Sequence, residues 1–600
     1  MRERSRPIPM LLAATAIACA AGAAGAAEHP EPAAAGLSAP RYATPEDCPR
    51  FAKPEFISRP LEKAYPGLEY NIRPAVRGGT YPYTFSLAKS PEGMKIDPAR
   101  GTITWTAPKA EGVHDVAIAV TDAAGRKAGQ AFTVKVTRAG FYFASPEGDD
   151  AAPGTIEKPW KTVERTAIPP EGFTYPAGAV VVFRGGEYKI DRPSTKPGAS
   201  KLSGNGVPIT DRSPKYWLAY PGEKPVIDLG WSGEKQKAAH AEQVASGKLP
   251  GGRKKPTTHR GYGHRFGLAG GSDYFYMDGF EIKNACYYMF VMWHGRNTVH
   301  FRRCEMHHLW CDWAENPGFI FTFAGSRRGG KTWGVRAKVT AYKNFVIQDN
   351  HFHDRFMVGS HGAAFTWYTV HDALIEDNLF ERVGRGGNDA CIQDKDNGLG
   401  NTYRGNVVRG DWHIISQGSS DEIEICHNYI EGTLKISGHA GWCRNVWVHH
   451  NSVKGMISFP WLTRHLPDKI DETKGDYSSA KSADSLKAVR EFPAEKKFAH
   501  FYRNVLDANP EQRRAANVVV RIPHGKAFAE DWRYVRWDEN LVDTGAKVGI
   551  RREHADYSFM KSAGFDKGGV QAPVELDSEG RLPEDSPYRG KYGPHDPRKM

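Results

Sequence analysis

Between Phe345 and Met456 the chain repeats one pattern: a short run of alternating apolar and polar residues, an Asn, and a second short run. The units read FVIQDNHFHDR, ALIEDNLFERV, NTYRGNVVRGD, IEICHNYIEGT and VWVHHNSVKGM. They place Asn350, Asn378, Asn406, Asn428 and Asn451 in register, at steps of 28, 28, 22 and 23 residues. Upstream, FYMDGFEIKNA and VHFRRCEMHHL fit the same frame, with Gly279 and Cys304 at the Asn position. Alternation with frequent β-branched residues predicts strands, and the units carry no helical stripe. A fixed period of this length marks a solenoid, in which each coil buries its apolar side only against its neighbours. The pattern therefore predicts a parallel β-solenoid. The register Asn residues are expected to bond one above another at the turns, as scaffold and not as a catalytic series.

Outside the repeat the texture changes several times. Arg2, Arg4 and Arg6, an apolar run from Met10 to Ala21 and the small residues Gly25-Ala26-Ala27 read as a secretory signal over residues 1–27. Export to the periplasm or medium follows. Cys19 loosely matches a lipoprotein box, a lesser alternative. Residues 28–57 are rich in Ala, Pro and Glu and read as a linker. Residues 58–138 alternate in short runs between Gly, Pro and Asp turns, the signature of a small β-sandwich. Pro82-Tyr83, Pro91-Glu92-Gly93-Met94, Gly101-Thr102-Ile103-Thr104-Trp105 and Val120-Thr121-Asp122 resemble the immunoglobulin-like modules of exported bacterial enzymes. That resemblance implies a fold, with a spacer or docking role, and no chemistry.

From Gly140 a strand, a Gly/Asp turn, a short helix at Lys161–Arg165 and the strand Val180–Phe183 make a solenoid start. The run GTIEKPWKT with RGGEY resembles the first coil of right-handed parallel β-helix enzymes that act on polysaccharides, the polysaccharide lyases among them. The resemblance implies an all-β chain: a right-handed parallel β-helix over 139–560, preceded by the Ig-like sandwich. A helix there would cover the open end of the solenoid. Inserts at 230–265, 311–340 and 463–498 read as loops, and 561–600 as a tail that wraps the surface or stays loose.

Composition adds partners. The formal net charge of +12 falls to +10 without the leader. An exported basic surface points to acidic polymers such as uronate or sulfated polysaccharides, and not to nucleic acid. No segment predicts a membrane span, and a monomer is expected. The eight Cys match no zinc pattern, and several stand at apolar strand positions, as buried hydrophobes would.

Candidate chemistry lies on the strand beyond each register position, in FTWYT, CIQDKD, HIISQG, LKISGH and MISFP. Alternation turns Phe365, Trp367, Ile392, Ile414, Leu434 and Ile436 inward. The other face collects Thr366, Tyr368, Gln393, Lys395, His413, Gln417, Lys435 and Ser437, with His439 just beyond. Such a face suits a saccharide groove. β-Elimination from a uronate needs a base for the C5 proton, an acid for the leaving oxygen and a neutralised carboxylate. Lys395 is the expected base, its pKa lowered by the neighbouring charge of Lys435 two coils on, with Tyr368, His439 or His361 (in the loop GSHG) as acid. Gln393, Gln417 and His413 are expected to bind substrate, with Trp367 as a stacking platform. Asp389, Asp394, Asp396 and Asn397 offer oxygen ligands for Ca²⁺; no other cofactor is expected. Hydrolysis by a pair among Asp389, Asp394 and Asp396 is the competing chemistry. A non-catalytic carbohydrate-binding or adhesion solenoid is the third reading. His351 and His353 alternate along one strand beside Asp354, so a transition metal is conceivable there, although no HExxH motif supports it.

Overall fold

A computed structural model describes residues 44–190, 206–247, 265–268, 274–293, 298–311, 318–323, 342–357, 362–368, 370–383, 389–395, 398–416, 420–438, 443–458, 499–511, 517–522, 535–550 and 553–594. The leader, His361, Asp396, Asn397, Gln417 and His439 lie outside them.

The solenoid has three sheets of 12 strands each, and every coil contributes one strand to each sheet. The first runs from Phe141–Ala144 to Val535–Asp538, the second from Gly186–Lys189 to Val570–Gln571, the third from Gly206–Ile209 to Glu553–Asp556. Neighbouring strands within these sheets are parallel, as in Val346–Gln348 on Leu374–Glu376. The exception is the last pair of the third sheet, where Lys547–Ile550 meets Glu553–Asp556 antiparallel. This is a parallel β-helix, the architecture that the repeat predicts.

At the N-terminal end the predicted helix forms over Val163–Ala167, capped by the Thr162 hydroxyl accepting from the Arg165 N–H at 3.1 Å. Val163 and Ala167 enter the solenoid core and close that end. At the other end Tyr557 and Met560 do the same. The insert expected as a loop at 230–265 carries a helix instead, Gly233–Ser246. It is polar nearly all round, so it shows no apolar stripe. Its capping residues, Ser232 and the left-handed Gly247, are what mark it. The tail does wrap the surface: Leu582 and Tyr592 pack on Val505 and Leu541. Gly580, at φ 76°, lies so close to Tyr429 that a Cβ would stand 2.4 Å from the ring, so only Gly fits.

The register Asn residues form an unbroken buried ladder. Asn378 Oδ1 accepts from the backbone N–H and the Nδ2 of Asn350 at 3.0 and 2.9 Å, and Asn406 does the same for Asn378. The series continues through Asn428 and Asn451 to Asn504 and Asn540, and ends on Asp566. Each Nδ2 also donates to a strand carbonyl, such as Ile347 or Ile375, satisfying turn groups that water cannot reach. The residue before each rung is left-handed: Asp349 and Asp377 at φ 59° and 55°, Gly405 at 68° and His427 at 56°. Asp, Asn and Gly tolerate that conformation best.

The described Cys48, Cys286, Cys304, Cys391 and Cys426 are buried, as expected of cysteines that act as small hydrophobes.

The Ig-like module is a sandwich of a four-stranded and a three-stranded sheet around Phe85, Trp105, Val116, Ile118, Val120 and Val134. It lies against the first solenoid sheet, whose outer side shares its core. Val181 and Phe183 point into the solenoid, whereas Val180 and Val182 pack with the sandwich. The four-residue apolar run is thus buried on both faces, which is why it does not alternate. Further along, arginines of the module and the segment before it meet the left-handed corner acids. Arg73 pairs with Asp349, Asp377 and Glu376 at 2.6, 2.7 and 3.1 Å. Arg77 and Arg50 share Asp372 at 2.5 and 2.7 Å. In return, solenoid Arg404 reaches the Val76 carbonyl and the Tyr83 hydroxyl, each at 2.9 Å. The expected spacer is a fixed flank.

Candidate functional site

On the third sheet, strand pairing aligns one polar row. Phe321 pairs with Thr366, Thr366 with Gln393, Gln393 with His413, His413 with Lys435, Lys435 with Ser458, and Ser458 with Arg521. Because Phe365, Trp367, Ile392, Leu434 and Ile436 fill the core, alternation puts this row on the outer face. Ser458 and Arg521 join it although sequence reading stopped short of them. Ser458 falls inside MISFP, but Arg521 follows a 63-residue gap that hides its register.

The pairing also sorts the expected base and acid residues into two groups. Tyr368 pairs with Lys395, while Gln393, His413 and Lys435 share the other row. Lys395 and Lys435 are two coils and two residues out of step, so their Cα atoms stand about 12 Å apart, given ~4.8 Å between strands and ~3.3 Å per residue. The two lysines therefore belong to separate rows.

Lys435 is half-buried. Burial pulls its ammonium below the usual lysine range, and the charge of Asp411 opposes this only in part. Asp411 is itself held on the preceding coil, accepting from the Thr433 N–H at 2.7 Å. A lysine lowered by desolvation carries more neutral amine near neutral pH, as a general base requires. Thr366, Gln393 and Tyr368 are buried. Of Lys395, His413 and Asp389 the backbone alone is described, within Asp389–Lys395 and Trp412–Ser416.

Two expectations give way. Trp367 is wholly inside, stacked on Phe365 with ring centroids 5.5 Å apart, so it offers no sugar platform. The same alternation that buries Trp367 already implies this. Asp394 pairs with Trp367 and is also inside, its Oδ2 accepting from Asn401 Nδ2 at 2.8 Å and the Tyr403 hydroxyl at 3.0 Å. Burial raises its pKa to about 6. A carboxyl enclosed in the solenoid reaches neither a surface Ca²⁺ nor a glycosidic bond, so the oxygen cage around Asp394 does not form as expected. The charged sequence DKD concealed this because Asp normally faces water.

Residues 57–137 match the family profile described as "Putative Ig domain". No curated protein matches the chain. Among solved structures, the family 28 exopolygalacturonase of Yersinia enterocolitica aligns over 82% of this chain and 95% of its own, with 11% identity and a TM-score of 0.35. XylC in complex with xylose aligns over 69% and 86%, with 11% identity and a TM-score of 0.35. A rhamnogalacturonan lyase aligns over 53% and 75%, with 16% identity and a TM-score of 0.27. The architecture defines a parallel β-helix protein with an N-terminal Ig-like module. Similarities this distant assign no chemistry to it.

Proposed function

We propose that the chain is an exported enzyme that cleaves an acidic polysaccharide by β-elimination on the outer face of the third sheet. The observation that carries this reading is Lys435: a half-buried lysine, depressed by desolvation, standing in a row of polar residues that runs across successive coils. Its neutral Nζ takes the C5 proton of a uronate, the C5–H electrons form the C4–C5 double bond, and the C4–oxygen bond breaks. The departing oxygen takes a proton from an acid beside Lys435; the backbone register puts His413, expected from the sequence to bind substrate, one coil earlier. Arg521, at the end of the row, and Lys395, in the row beside it, suit the substrate carboxylates, whose negative charge grows as C5 loses its proton. Hydrolysis is disfavoured because Asp394, one of its three candidate carboxyls, is enclosed.

The test is incubation with a panel of uronate polysaccharides, following the ultraviolet absorbance of an unsaturated uronyl product together with reducing ends. Both should rise in parallel on one substrate. Reducing ends without absorbance would replace elimination by hydrolysis. Binding without any cleavage would leave a carbohydrate-binding solenoid.

A further inference from the structure

A second polar cluster lies on the outer face of the second sheet, away from the row just described. Glu281, Glu305 and His351 share one register position across three coils, and Lys283, His307 and His353 share the next outward position. His307 and His353 stack with ring planes 5° apart and centroids at 4.7 Å. Their Nε2 atoms face carboxylates: His307 to Glu281 Oε1 at 3.2 Å, His353 to Glu305 Oε1 at 3.0 Å. The outer oxygens of both Glu residues hold Lys224 Nζ, at 2.9 and 2.5 Å.

The backbone brings one more group in. His308 and Asp354 stand at equivalent places and are left-handed, at φ 55° and 53°, and the pairing skips both. In a regular strand, consecutive side chains point to opposite faces; this kink turns Asp354 back toward His353. Asp354 Oδ2 then accepts a hydrogen bond from His353 Nδ1–H at 2.8 Å, while Arg382 Nε donates to the other carboxylate oxygen at 2.5 Å. A carboxylate that fixes the far nitrogen of an imidazole leaves Nε2 with a free lone pair, the arrangement found behind metal-ligating histidines.

We propose that Glu305, His307 and His353 bind a divalent transition-metal ion of the Zn²⁺ class, with Asp354 as the positioning residue. One ligand atom from each lies within 4.8 Å of the others. Tetrahedral ligands with bonds of about 2.1 Å stand about 3.4 Å apart, so modest side-chain rotation closes the site. Two imidazoles and one carboxylate select Zn²⁺, Co²⁺ or Ni²⁺ over Ca²⁺ or Mg²⁺. Three protein ligands leave a position for water or substrate, as in open zinc sites.

The test uses tag-free full-length protein, stripped with chelator and titrated with Co²⁺ and then Zn²⁺. One Co²⁺ per chain, with the intense visible bands of a low-symmetry four-coordinate ion that Zn²⁺ bleaches, is the expected result. His353→Ala and His307→Ala should each weaken Co²⁺ at least 100-fold, and Asp354→Asn by 10- to 100-fold. Glu305→Gln preserves shape and should weaken it comparably, which separates ligand loss from misfolding; melting curves check each variant. No saturable binding at ~100 µM Co²⁺, or binding unchanged in Glu305→Gln and His353→Ala, would overturn the proposal.

Discussion

The outer faces of the first and third sheets are built from the same repeat and meet opposite fates. On the first, corner acids at left-handed positions face arginines of the Ig-like module, and the apolar outward residues of Val180–Phe183 join that module's core. On the third, the outward row is polar and includes a lysine whose desolvation outweighs the charge of Asp411. A buried cation in an ion pair serves docking; a half-buried lysine whose desolvation outweighs its counter-charge is poised to lose its proton. The contrast between paired and underpaired burial is what locates the candidate chemistry.

The comparison is broken most severely at Arg404. Its guanidinium pairs with Glu376 and also reaches the Val76 carbonyl and the Tyr83 hydroxyl. Arg404→Met removes one of the two cations that hold the buried Glu376 carboxylate, Arg73 being the other, and a loss of about 3 kcal/mol is expected in urea denaturation. Proteolysis between the module and the solenoid should accelerate alongside. Lys435→Met tests the other face. Turnover should fall by about 100-fold or more, in the range of general-base loss, with the melting temperature unchanged or higher. The wild-type activity should rise with pH as the lysine deprotonates, a limb that the Met variant lacks.

Two smaller effects concern the scaffold between those faces. Asn406→Ala removes an acceptor used by two Asn378 donors and a donor to the Ile375 carbonyl. Leaving those groups buried and unpaired should cost about 2–3 kcal/mol by equilibrium unfolding. Asp394→Asn should do the reverse. Its folded pKa of about 6 lies above the ordinary 3.8, so the fold favours the protonated acid. Stability from that protonation is full below pH ~4 and lost as pH rises through ~6. The Asn variant is therefore expected to gain about 2 kcal/mol at pH 8 and nothing near pH 4, read from unfolding curves at both pH values. Equal curves at pH 8 would mean that Asp394 is not enclosed as described.

The coils were legible because their signal is local and repeated: alternation, a left-handed corner residue and an Asn, once per turn. The Ig-like strands were legible for the same reason. The candidate site was legible only as a set of residue types. Which of Tyr368, Gln393, Lys395, His413 and Lys435 share a row depends on strand register, and coil lengths that vary from 22 residues upward obscure it. Asp394 and Trp367 show the opposite failure. Alternation already placed both inside, yet the charge of one and the aromatic ring of the other invited a surface role. The cluster of Glu305, His307 and His353 spans 49 residues and becomes visible only when two coils stack.

The sequence by itself determined the solenoid, its Asn ladder and the sandwich before it, since each follows from near-neighbour periodicity and turn chemistry. That the sandwich packs against the first sheet, that Asp394 is enclosed and that Lys435 is desolvated follow from the assembled fold alone. Those outcomes depend on pairings hundreds of residues apart, such as Arg73 with Asp377, and on burial, which is a property of the assembled coils and not of any one of them.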